Sequence, residues 1–493
     1  MNLSQAFAQS AADHAHKTAV CWGNAEYSYA DLARQTGFAS RSLKARFGVR
    51  PGDRVGIWLK NCPQFMPAYF GILHADCVVV PINNFLKPDE VNYILKDAGI
   101  DVLITDAELG KHHRLLEAAR PQLKLFHIEE FDAGQGELDP QFSSQPATAL
   151  AVLIYTSGTT GHPKGAMLSH ANLLHNVNSC RIVLETVAAD RFAVILPLFH
   201  SYMMTVGMLL PLLLGGSMVL VKSLHPIKNM LQEILQHRAS IMPAIPQFFR
   251  SLVSFPGDLE LPMRIFISGA APLPAQVLHD FEARFKVPLI EGYGLSEASP
   301  VVTKNPLRGI HKPGSIGVPI ANVEVSVQDE KGAFLGVGQI GEICVRGGNV
   351  MMGYWNQPEE TARAVRGDWL LTGDIGCRDE DGYFYITDRK KDLLLVNGIN
   401  VYPREIEEVL YQFSGIKEAA VIGKPDNRKG ERPVAFVGML EGETLDRHAL
   451  DKFLRHRLAD YKVPRTVIVL PALPRNATGK VLKTALRELP IEG

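Results

Sequence analysis

One segment of the chain combines glycine, hydroxyl and lysine side chains in a pattern that suits a polyphosphate. It is the run YTSGTTGHPKG at residues 155–165. Its glycines allow the backbone to approach a ligand closely, its hydroxyls supply hydrogen bonds, and Lys164 adds a cation. The run is not a Walker A loop, because Pro163 and Gly165 stand where GxxxxGKS/T requires Gly and Ser or Thr. By composition alone, a flexible surface loop is an equally good interpretation.

Further short motifs follow this run in order. They are GAAP at residues 269–272, YGLSE at 293–297, TGD at 372–374, DRKKD at 388–392 and PRNATGK at 474–480. The ordered set resembles the signature motifs of the adenylate-forming superfamily, which includes acyl-CoA synthetases, aryl-CoA ligases, insect luciferases and peptide-synthetase adenylation domains. Ser296 stands where the superfamily carries threonine. Each motif alone is weak, but the set is specific and spans nearly the whole chain.

The resemblance implies an ATP-dependent reaction in two steps. A carboxylate oxygen attacks the α-phosphorus of ATP in line, pyrophosphate leaves, and the acyl-adenylate then passes its acyl group to the thiol of coenzyme A. Charge spreads over the phosphoryl oxygens in the first transition state, so the protein must supply positive charge and positioning. The implied small-molecule partners are a carboxylic acid, ATP and CoA, with Mg²⁺ as the metal ion.

The resemblance also implies which residues hold the phosphates. The predicted cradle consists of Thr156, Ser157, Gly158, Thr159, Thr160, Gly161 and Lys164. Glu297 is expected to hold Mg²⁺, with Thr156 as a further candidate ligand, because this ion takes carboxylate and phosphate oxygens. Without the motifs, Glu297 is equally well an exposed carboxylate at a helix start.

For the nucleoside, the resemblance points to two further motifs and two charged residues. The Tyr293 ring is expected to pack on adenine, beside the segment Gly269, Ala270 and Ala271 and its own neighbours Gly294 and Ser296. Asp374 can accept hydrogen bonds from both ribose hydroxyls, and Arg389 can donate to the same sugar. The alternatives are a core aromatic residue and solvated charges.

Lys480 and His200 complete the predicted catalytic set with Thr156 and Glu297. By resemblance, the Lys480 ammonium lies between the substrate carboxylate and the α-phosphate during adenylation. A rotation about Lys391 then removes Lys480 and brings the loop around Gly398 to the incoming thiol. By frequency alone, Lys480 is an ordinary surface lysine.

The surroundings of His200 bear on the choice of acid. Peptide-synthetase adenylation domains carry an aspartate here for the substrate ammonium, so His200 disfavours an α-amino acid. In acyl- and aryl-CoA ligases this histidine borders the acid pocket; without the motif it is a buried, hydrogen-bonded imidazole. Neighbouring side chains suit an adaptable apolar tunnel or plain core, namely Met203, Met204, Thr205, Val206 and Met208. We expect a medium- or long-chain fatty acid first and an aromatic or arylpropenoic acid second; an acyl-AMP ligase that loads a carrier protein is a further alternative.

The composition of the chain argues against several classes of protein. The chain has 493 residues, 46% of them hydrophobic and 21% charged, which is typical of a globular protein with more than one domain. A formal net charge of -1 disfavours nucleic acid as a partner. The six cysteines form no close pairs, which argues against a zinc site or a disulfide framework and favours the cytoplasm. The first residues lack the pattern of a secretory signal.

The apolar segment 192–221 is the one stretch that resembles a membrane span. Pro197, Pro211 and Gly215 divide it into pieces too short to cross a bilayer, so a strand, a buried helix and a second strand are expected. We expect no transmembrane segment. Peripheral contact with a membrane remains open, as does the choice between a monomer and a homodimer.

Helical and strand patterns alternate along the chain and predict an α/β fold. Alternation of this kind means parallel or mixed sheets flanked by helices. The resemblance adds a distorted barrel in the large body and a small, mobile C-terminal α+β domain. A dense charged run at 387–392 marks the expected boundary, which gives a large domain at 1–388 and a small one at 389–493.

Two other patterns are interpreted as structural. The GxGxxG match at 336–341 precedes a predicted strand at 342–346, whereas a dinucleotide-binding loop precedes a helix, so it is a turn. The histidine pairs at 14 and 16 and at 112 and 113 lack further ligands at metal spacing and are expected at the surface.

Overall fold

The computed structural model describes residues 1–133, 143–156, 163–397, 399–426, 430–476 and 479–490. The α-helices are α1 Leu3–Asp13, α2 Tyr29–Ala45, α3 Phe65–His74, α4 Pro88–Asp97, α5 Gly110–Ala119, α6 Glu129–Ala133, α7 His170–Val183, α8 Leu210–Leu213, α9 Ile227–Gln236, α10 Pro246–Val253, α11 Ala275–Arg284, α12 Pro358–Ala364, α13 Pro403–Tyr411, α14 Arg447–Arg455 and α15 Lys483–Glu488. Short 3-10 turns lie at Ala107–Leu109 and Ser296–Ala298, and a π-helix, Met203–Leu209, runs directly into α8.

The strands make four sheets. They are β1 Thr18–Trp22, β2 Ala25–Ser28, β3 Arg54–Ile57, β4 Val78–Pro81, β5 Val102–Thr105, β6 Lys124–His127, β7 Leu150–Thr156, β8 Lys164–Ser169, β9 Arg191–Val194, β10 Ser217–Leu220, β11 Ile241–Ala244, β12 Ile265–Ser268, β13 Leu289–Gly294, β14 Val301–Lys304, β15 Val318–Pro319, β16 Val323–Gln328, β17 Gly341–Gly347, β18 Gly353–Tyr354, β19 Val365–Arg366, β20 Trp369–Arg378, β21 Phe384–Arg389, β22 Leu394–Val396, β23 Ile399–Val401, β24 Ile416–Asp426, β25 Gly430–Met439 and β26 Thr466–Val469.

Two large sheets form the body of the protein. One has nine strands in the order β15-β14-β13-β12-β11-β9-β10-β1-β2, and the other has seven in the order β18-β8-β7-β4-β3-β5-β6. Their central strands are parallel and buried on both faces, as expected where helices cover a sheet. The fold is therefore the mixed α/β arrangement of helix-flanked sheets that the alternation predicts.

Two smaller sheets follow along the chain. The first is antiparallel and contains β16, β17, β19, β20 and β21. The second contains β22 to β26 and packs with α13 and α14 around a hydrophobic core of its own. Since β21 ends at Arg389 and β22 begins at Leu394, the charged run lies between these two sheets. The boundary at 388/389 stays a prediction.

Local sequence explains where the helices begin. At α2 the Ser28 hydroxyl accepts from the backbone N–H of Asp31, and the Asp31 carboxylate accepts from the N–H of Ser28, which is a reciprocal capping box. Pro88, Pro246 and Pro403 are first residues of helices, where the missing N–H costs no hydrogen bond. The alternation of helices and strands that the sequence predicts is present over the first hundred residues.

The apolar segment 192–221 folds as predicted, into β9, a buried helix and β10. Within the described residues, every helix is too short or too polar to traverse a lipid bilayer. The turn at 336–341 is also followed by a strand, β17, as predicted.

One prediction about histidines is wrong. His113 is buried rather than at the surface, and its Nε2 lies 3.1 Å from the Thr105 hydroxyl. The reason is that α5 turns His113 and Leu116 together toward the sheet. All six cysteines are free, as predicted.

Candidate active site

Glu297 lies within a group of polar side chains at the ends of three strands. Its Oε1 accepts a hydrogen bond from the Tyr354 hydroxyl at 2.9 Å, and the Thr156 hydroxyl lies 3.5 Å from the same oxygen. Thr156 ends β7, Tyr354 ends β18, and the turn after β13 carries Glu297. The structure therefore brings Thr156 and Glu297 together from positions far apart in sequence.

Lys164 belongs to the same group. It is buried at the start of β8, pairs with a Glu360 carboxylate from α12, and its Nζ lies 5.4 Å from the centre of the Tyr354 ring. Thr156 is its register partner across β7 and β8. Residues 157–162 lie outside the described residues, and with them the predicted Ser157, Gly158, Thr159, Thr160 and Gly161.

A second group of side chains surrounds Asp374, which is 2% exposed. Its Oδ2 accepts a hydrogen bond from the Tyr293 hydroxyl at 2.5 Å, and its Oδ1 lies 2.9 Å from Nε of Arg389. Burial and the neighbouring Asp374 charge both raise the pKa of Tyr293, so its hydroxyl keeps its proton and donates. Asp374 and Arg389 are register partners on β20 and β21.

The segment 269–271 forms a tight turn at the end of β12. Ala270 has a φ of +66°, a left-handed conformation that fits a turn, and a Cβ on Gly269 would lie 3.0 Å from the Tyr202 ring. Because β12 and β13 are parallel neighbours, this turn and Tyr293 lie at the same edge of the sheet. Ala270 is exposed in this turn, and Gly269 is buried against the Tyr202 ring.

Gly294 and Ser296, at the end of β13 and just after it, contact neighbouring segments of the chain. A Cβ on Gly294 would lie 2.0 Å from the Pro300 carbonyl oxygen, so no larger residue fits. The Ser296 hydroxyl lies 2.9 Å from the hydroxyl of Ser201. That bond links the turn carrying Glu297 to the segment carrying His200.

The positive charge of Lys480 acts on His200. Burial lowers the pKa of His200 to about 4, and the positive charge of Lys480 adds to this effect. Burial lowers the pKa of Lys480 to about 8, with Arg389 adding to the shift and Asp374 opposing it. Although these groups surround it, Lys480 is exposed to solvent. Near pH 7, His200 is therefore neutral, and Lys480 is mostly charged.

Contacts from the C-terminal residues hold Lys480 in this place. A Cβ on Gly479 would lie 2.4 Å from Cδ1 of Ile245, so the turn bearing Lys480 rests against the large body. Arg475 donates to the Gly479 carbonyl at 2.6 Å and pairs with Glu418. The Lys480 turn is thus supported on both sides.

Lys391 is exposed in the turn after β21. Gly398 lies outside the described residues. The roles predicted for both residues stay predictions.

Sequence reasoning missed Tyr354, Glu360 and Tyr202 as members of the site. Each stands outside the recognised motifs, and each joins the site through a contact that forms only in the folded chain. A tyrosine close to Glu297 and a carboxylate close to Lys164 leave no periodic signal in the sequence.

Comparisons with known proteins show which family the chain belongs to. A family model described as AMP-binding enzyme matches residues 7–355, and a second, described as AMP-binding enzyme C-terminal domain, matches residues 405–480. The chain belongs to the AMP-binding enzyme family. It is an AMP-forming acid–thiol ligase of the acyl- and aryl-CoA ligase type.

Relatives of two substrate types resemble this ligase. It is 36% identical to a long-chain-fatty-acid–CoA ligase of Bacillus subtilis, with 99% of this chain and 94% of that protein covered. It is also 36% identical to a feruloyl-CoA synthase of Amycolatopsis sp, with 96% of each chain covered. Fatty and aromatic acids are thus represented at the same identity.

A solved structure resembles the fold closely. ATP-bound MatB from Rhodopseudomonas palustris superposes with a TM-score of 0.92, 34% identity and 99% coverage of both chains. The TM-score against the apo form of the same protein is 0.81. The arrangement of this ligase is therefore nearer to the ATP-bound form.

A group of metal-ligating side chains lies in another part of the protein. Cys21, Glu26 and His237 offer ligand atoms within 4.8 Å of one another. The Nε2 of His237 lies 2.7 Å from the Gly23 carbonyl oxygen. Sequence spacing did not indicate this group because β1, β2 and the end of α9 each contribute one residue.

Proposed function

We propose that this ligase activates a carboxylic acid with an apolar body as its adenylate and then transfers the acyl group to CoA. The observation that carries the proposal is the position of Lys480. It reaches from the C-terminal residues into the electrostatic environment of Asp374, Arg389 and His200. A lone ammonium there meets the requirement of adenylation for positive charge at the reacting phosphate.

The nucleoside is held by the group around Asp374. The Asp374 carboxylate accepts from the ribose hydroxyls, and Arg389 donates to the same sugar. Adenine stacks on Tyr293 against the turn 269–271. Because Asp374 and Tyr293 are already hydrogen-bonded, little reorganisation is needed when the nucleotide binds.

The phosphates are held by the run 155–165, with Lys164 exchanging its Glu360 partner for phosphate oxygen. Thr156 and Glu297 supply hydroxyl and carboxylate oxygens, a donor set that fits Mg²⁺. Bound there, Mg²⁺ supplies positive charge that neutralises phosphate oxygens. Oε2 of Glu297 accepts no hydrogen bond from the described residues.

In the first step, a carboxylate oxygen of the acid bonds to the α-phosphorus, and the bond to the bridging oxygen of pyrophosphate breaks. Lys480 bridges the acid carboxylate and the α-phosphate, and it lowers their mutual repulsion. No proton needs to move, because the acid is already ionised at neutral pH. Neutral His200 borders the carboxylate without adding charge.

In the second step, the CoA sulfur attacks the acyl carbonyl carbon, and AMP leaves with the electron pair of the carbon–oxygen bond. We assign this step to a second orientation of residues 389–493 relative to residues 1–388, reached by rotation near Lys391. The rotation removes Lys480 and presents the Gly398 loop to the thiol. In this rotation the Gly479 turn separates from Ile245, while its bond with Arg475, which lies within the C-terminal residues, is kept.

The acid pocket lies along the π-helix. All seven residues of Met203–Leu209 are buried, and π-helical turns are frequent at functional sites. Because these residues carry no charge, they suit the apolar body of an acid. A medium- or long-chain fatty acid and an aromatic acid both meet this description, and both classes have relatives at 36% identity.

A screen of pyrophosphate release tests the proposal. Fatty acids from four to eighteen carbons and hydroxylated or plain cinnamic acids are each mixed with ATP and Mg²⁺, with and without CoA. We expect acid-dependent pyrophosphate release and a CoA-dependent thioester. Thioester formation only on an acyl carrier protein indicates the carrier-loading alternative. Absence of acid-dependent AMP and pyrophosphate across the screen contradicts the proposal.

A further inference from the structure

Lys304 is a buried cation that has no hydrogen-bonding partner in the described part of the chain. It is the last residue of β14, it is 5% exposed, and among the described residues nothing accepts a hydrogen bond from its Nζ. Burial of an unpaired ammonium is costly, so proteins normally pair such a group. Lys164, the other lysine buried near the site, has Glu360.

The surroundings of Lys304 do not neutralise it. The Cys180 thiol beside it has its pKa raised to about 12 by burial, so it stays uncharged. The Glu185 carboxylate also acts on Lys304, but it is exposed and pairs with Arg308 at 2.7 Å. Burial lowers the pKa of Lys304 to about 8, so the ammonium is still mostly protonated at pH 7.

The register of β13 and β14 shows on which face of the sheet the Lys304 side chain lies. It lies directly opposite Gly292, the residue before Tyr293, and opposite residues of an antiparallel pair project on the same face. On that face, Ile290 and Val302 belong to the main hydrophobic core. A Cβ on Gly292 would lie 3.5 Å from the Cβ of Lys304, so glycine leaves space beside the lysine stem.

The strand that ends at Lys304 lies next to the π-helix that we assign to the acid pocket. The Thr205 hydroxyl of the π-helix donates to the Ser299 carbonyl at 3.1 Å, and Ser299 lies just before β14. The Tyr202 ring lies against Gly269 of the turn, and the Tyr202 backbone N–H donates to Nδ1 of His200 at 3.3 Å. In the pocket that we propose, His200 lies at the carboxylate end and Lys304 at the distal end.

We propose that Lys304 determines specificity by binding an oxygen atom at the distal end of the acid substrate. This inference rests on the proposed function and narrows it. The substrate combines an apolar body with a distal carboxylate or hydroxyl oxygen, both of which accept from an ammonium. An acid that ends in a methyl group leaves the ammonium desolvated and unpaired.

Length-matched acid pairs test the inference. Octanedioic acid is compared with octanoic acid, and 4-hydroxycinnamic acid with cinnamic acid, so the two pairs separate a distal carboxylate from a distal hydroxyl. We expect at least one oxygen-bearing acid to exceed its partner by about tenfold or more in kcat/KM for pyrophosphate release. Lys304→Met abolishes that preference by weakening the oxygen-bearing acid while leaving the apolar one unchanged or improved.

Glu185→Gln is the matched control, because it removes the exposed carboxylate that acts on Lys304 and leaves the ammonium. The preference should persist in this variant. Equal preferences in wild type and Lys304→Met for both acid pairs overturn the inference, even when turnover is vigorous.

Thermal unfolding gives a readout that needs no turnover. Lys304→Met should raise the Tm of the substrate-free enzyme, since methionine fills similar space without a charge. An oxygen-bearing acid should raise the Tm of wild type more than that of Lys304→Met. Equal Tm increases contradict the role of Lys304, whereas wild type that binds acids but never releases pyrophosphate contradicts the proposed function instead.

Discussion

Oδ1 of Asp374 lies 2.9 Å from Nε of Arg389, across the ladder between β20 and β21. Asp374 belongs to the large predicted domain, and Arg389 is the first residue of the small one. A ribose held by both residues is therefore held across the predicted boundary. We predict that nucleotide binding and the orientation of the C-terminal residues are coupled through this ion pair.

Replacing Arg389 tests this coupling. Arg389→Gln leaves the buried Asp374 carboxylate with fewer donors, and we expect a loss of about 1–3 kcal/mol in the free energy of unfolding. The KM for ATP should rise by about tenfold or more. Urea unfolding and ATP titration measure the two effects. Arg378→Gln, an exposed change on β20, is the control, and an equal effect from it contradicts the assignment.

Two replacements of Tyr293 separate the contribution of its hydroxyl to ATP binding from that of its ring. Tyr293→Phe removes the donor to Asp374 but keeps the aromatic face, so we expect the KM for ATP to rise by about three- to tenfold. Tyr293→Ala also removes the stacking surface and should raise the KM for ATP by about a further tenfold. Steady-state kinetics at varied ATP measures both. If the two variants are equally impaired, the ring does not pack on adenine.

The charge of Lys480 predicts an alkaline limit for adenylation. Its pKa is lowered to about 8 by burial, so the ammonium is present below that pH and is lost above it. Bound phosphates shift this limit upward, because they favour the charged form. Acid-dependent ATP–pyrophosphate exchange should fall on the alkaline side. In Lys480→Arg the fall should move to higher pH, since guanidinium does not titrate there. An unmoved limit shows that another group is responsible.

Arg475 is expected to position Lys480 without touching substrate. It holds the Gly479 carbonyl and the Glu418 carboxylate, so Arg475→Ala should loosen the turn that carries Lys480. We expect adenylation to slow by about tenfold, while transfer from preformed acyl-adenylate to CoA stays within about twofold. Stopped-flow measurement of each half-reaction checks this. Arg465→Ala, at an exposed site, should change neither rate.

Much of the site could be predicted from sequence because its chemistry sits in short motifs at strand ends. Thr156 ends β7, Arg389 ends β21, and Glu297 lies in the turn after β13, whereas Asp374 lies within β20 opposite Arg389. Gly294 was named from its motif alone, and the structure adds that a Cβ there would lie 2.0 Å from the Pro300 carbonyl oxygen. The order of motifs was therefore enough for the family and the fold, and the roles of the site residues stay predictions.

The remaining features depend on distant contacts that leave no local pattern. Lys304 ends an apolar strand and resembles a surface residue at a strand end, but it is buried where β14 pairs with β13. His113 looked exposed because its neighbours are polar, yet α5 turns it inward. Tyr354 comes from a two-residue strand that pairs with β8.

The central claim is that Lys480 acts in adenylation and not in acyl transfer, and the two half-reactions of Lys480→Ala test it most directly. We predict that acyl-adenylate formation from ATP falls by about a hundredfold or more. Transfer of the acyl group from synthetic acyl-adenylate to CoA should stay close to the wild-type rate, as it should in the surface control Lys417→Ala. Equal loss of both half-reactions, or undiminished adenylation, contradicts the account.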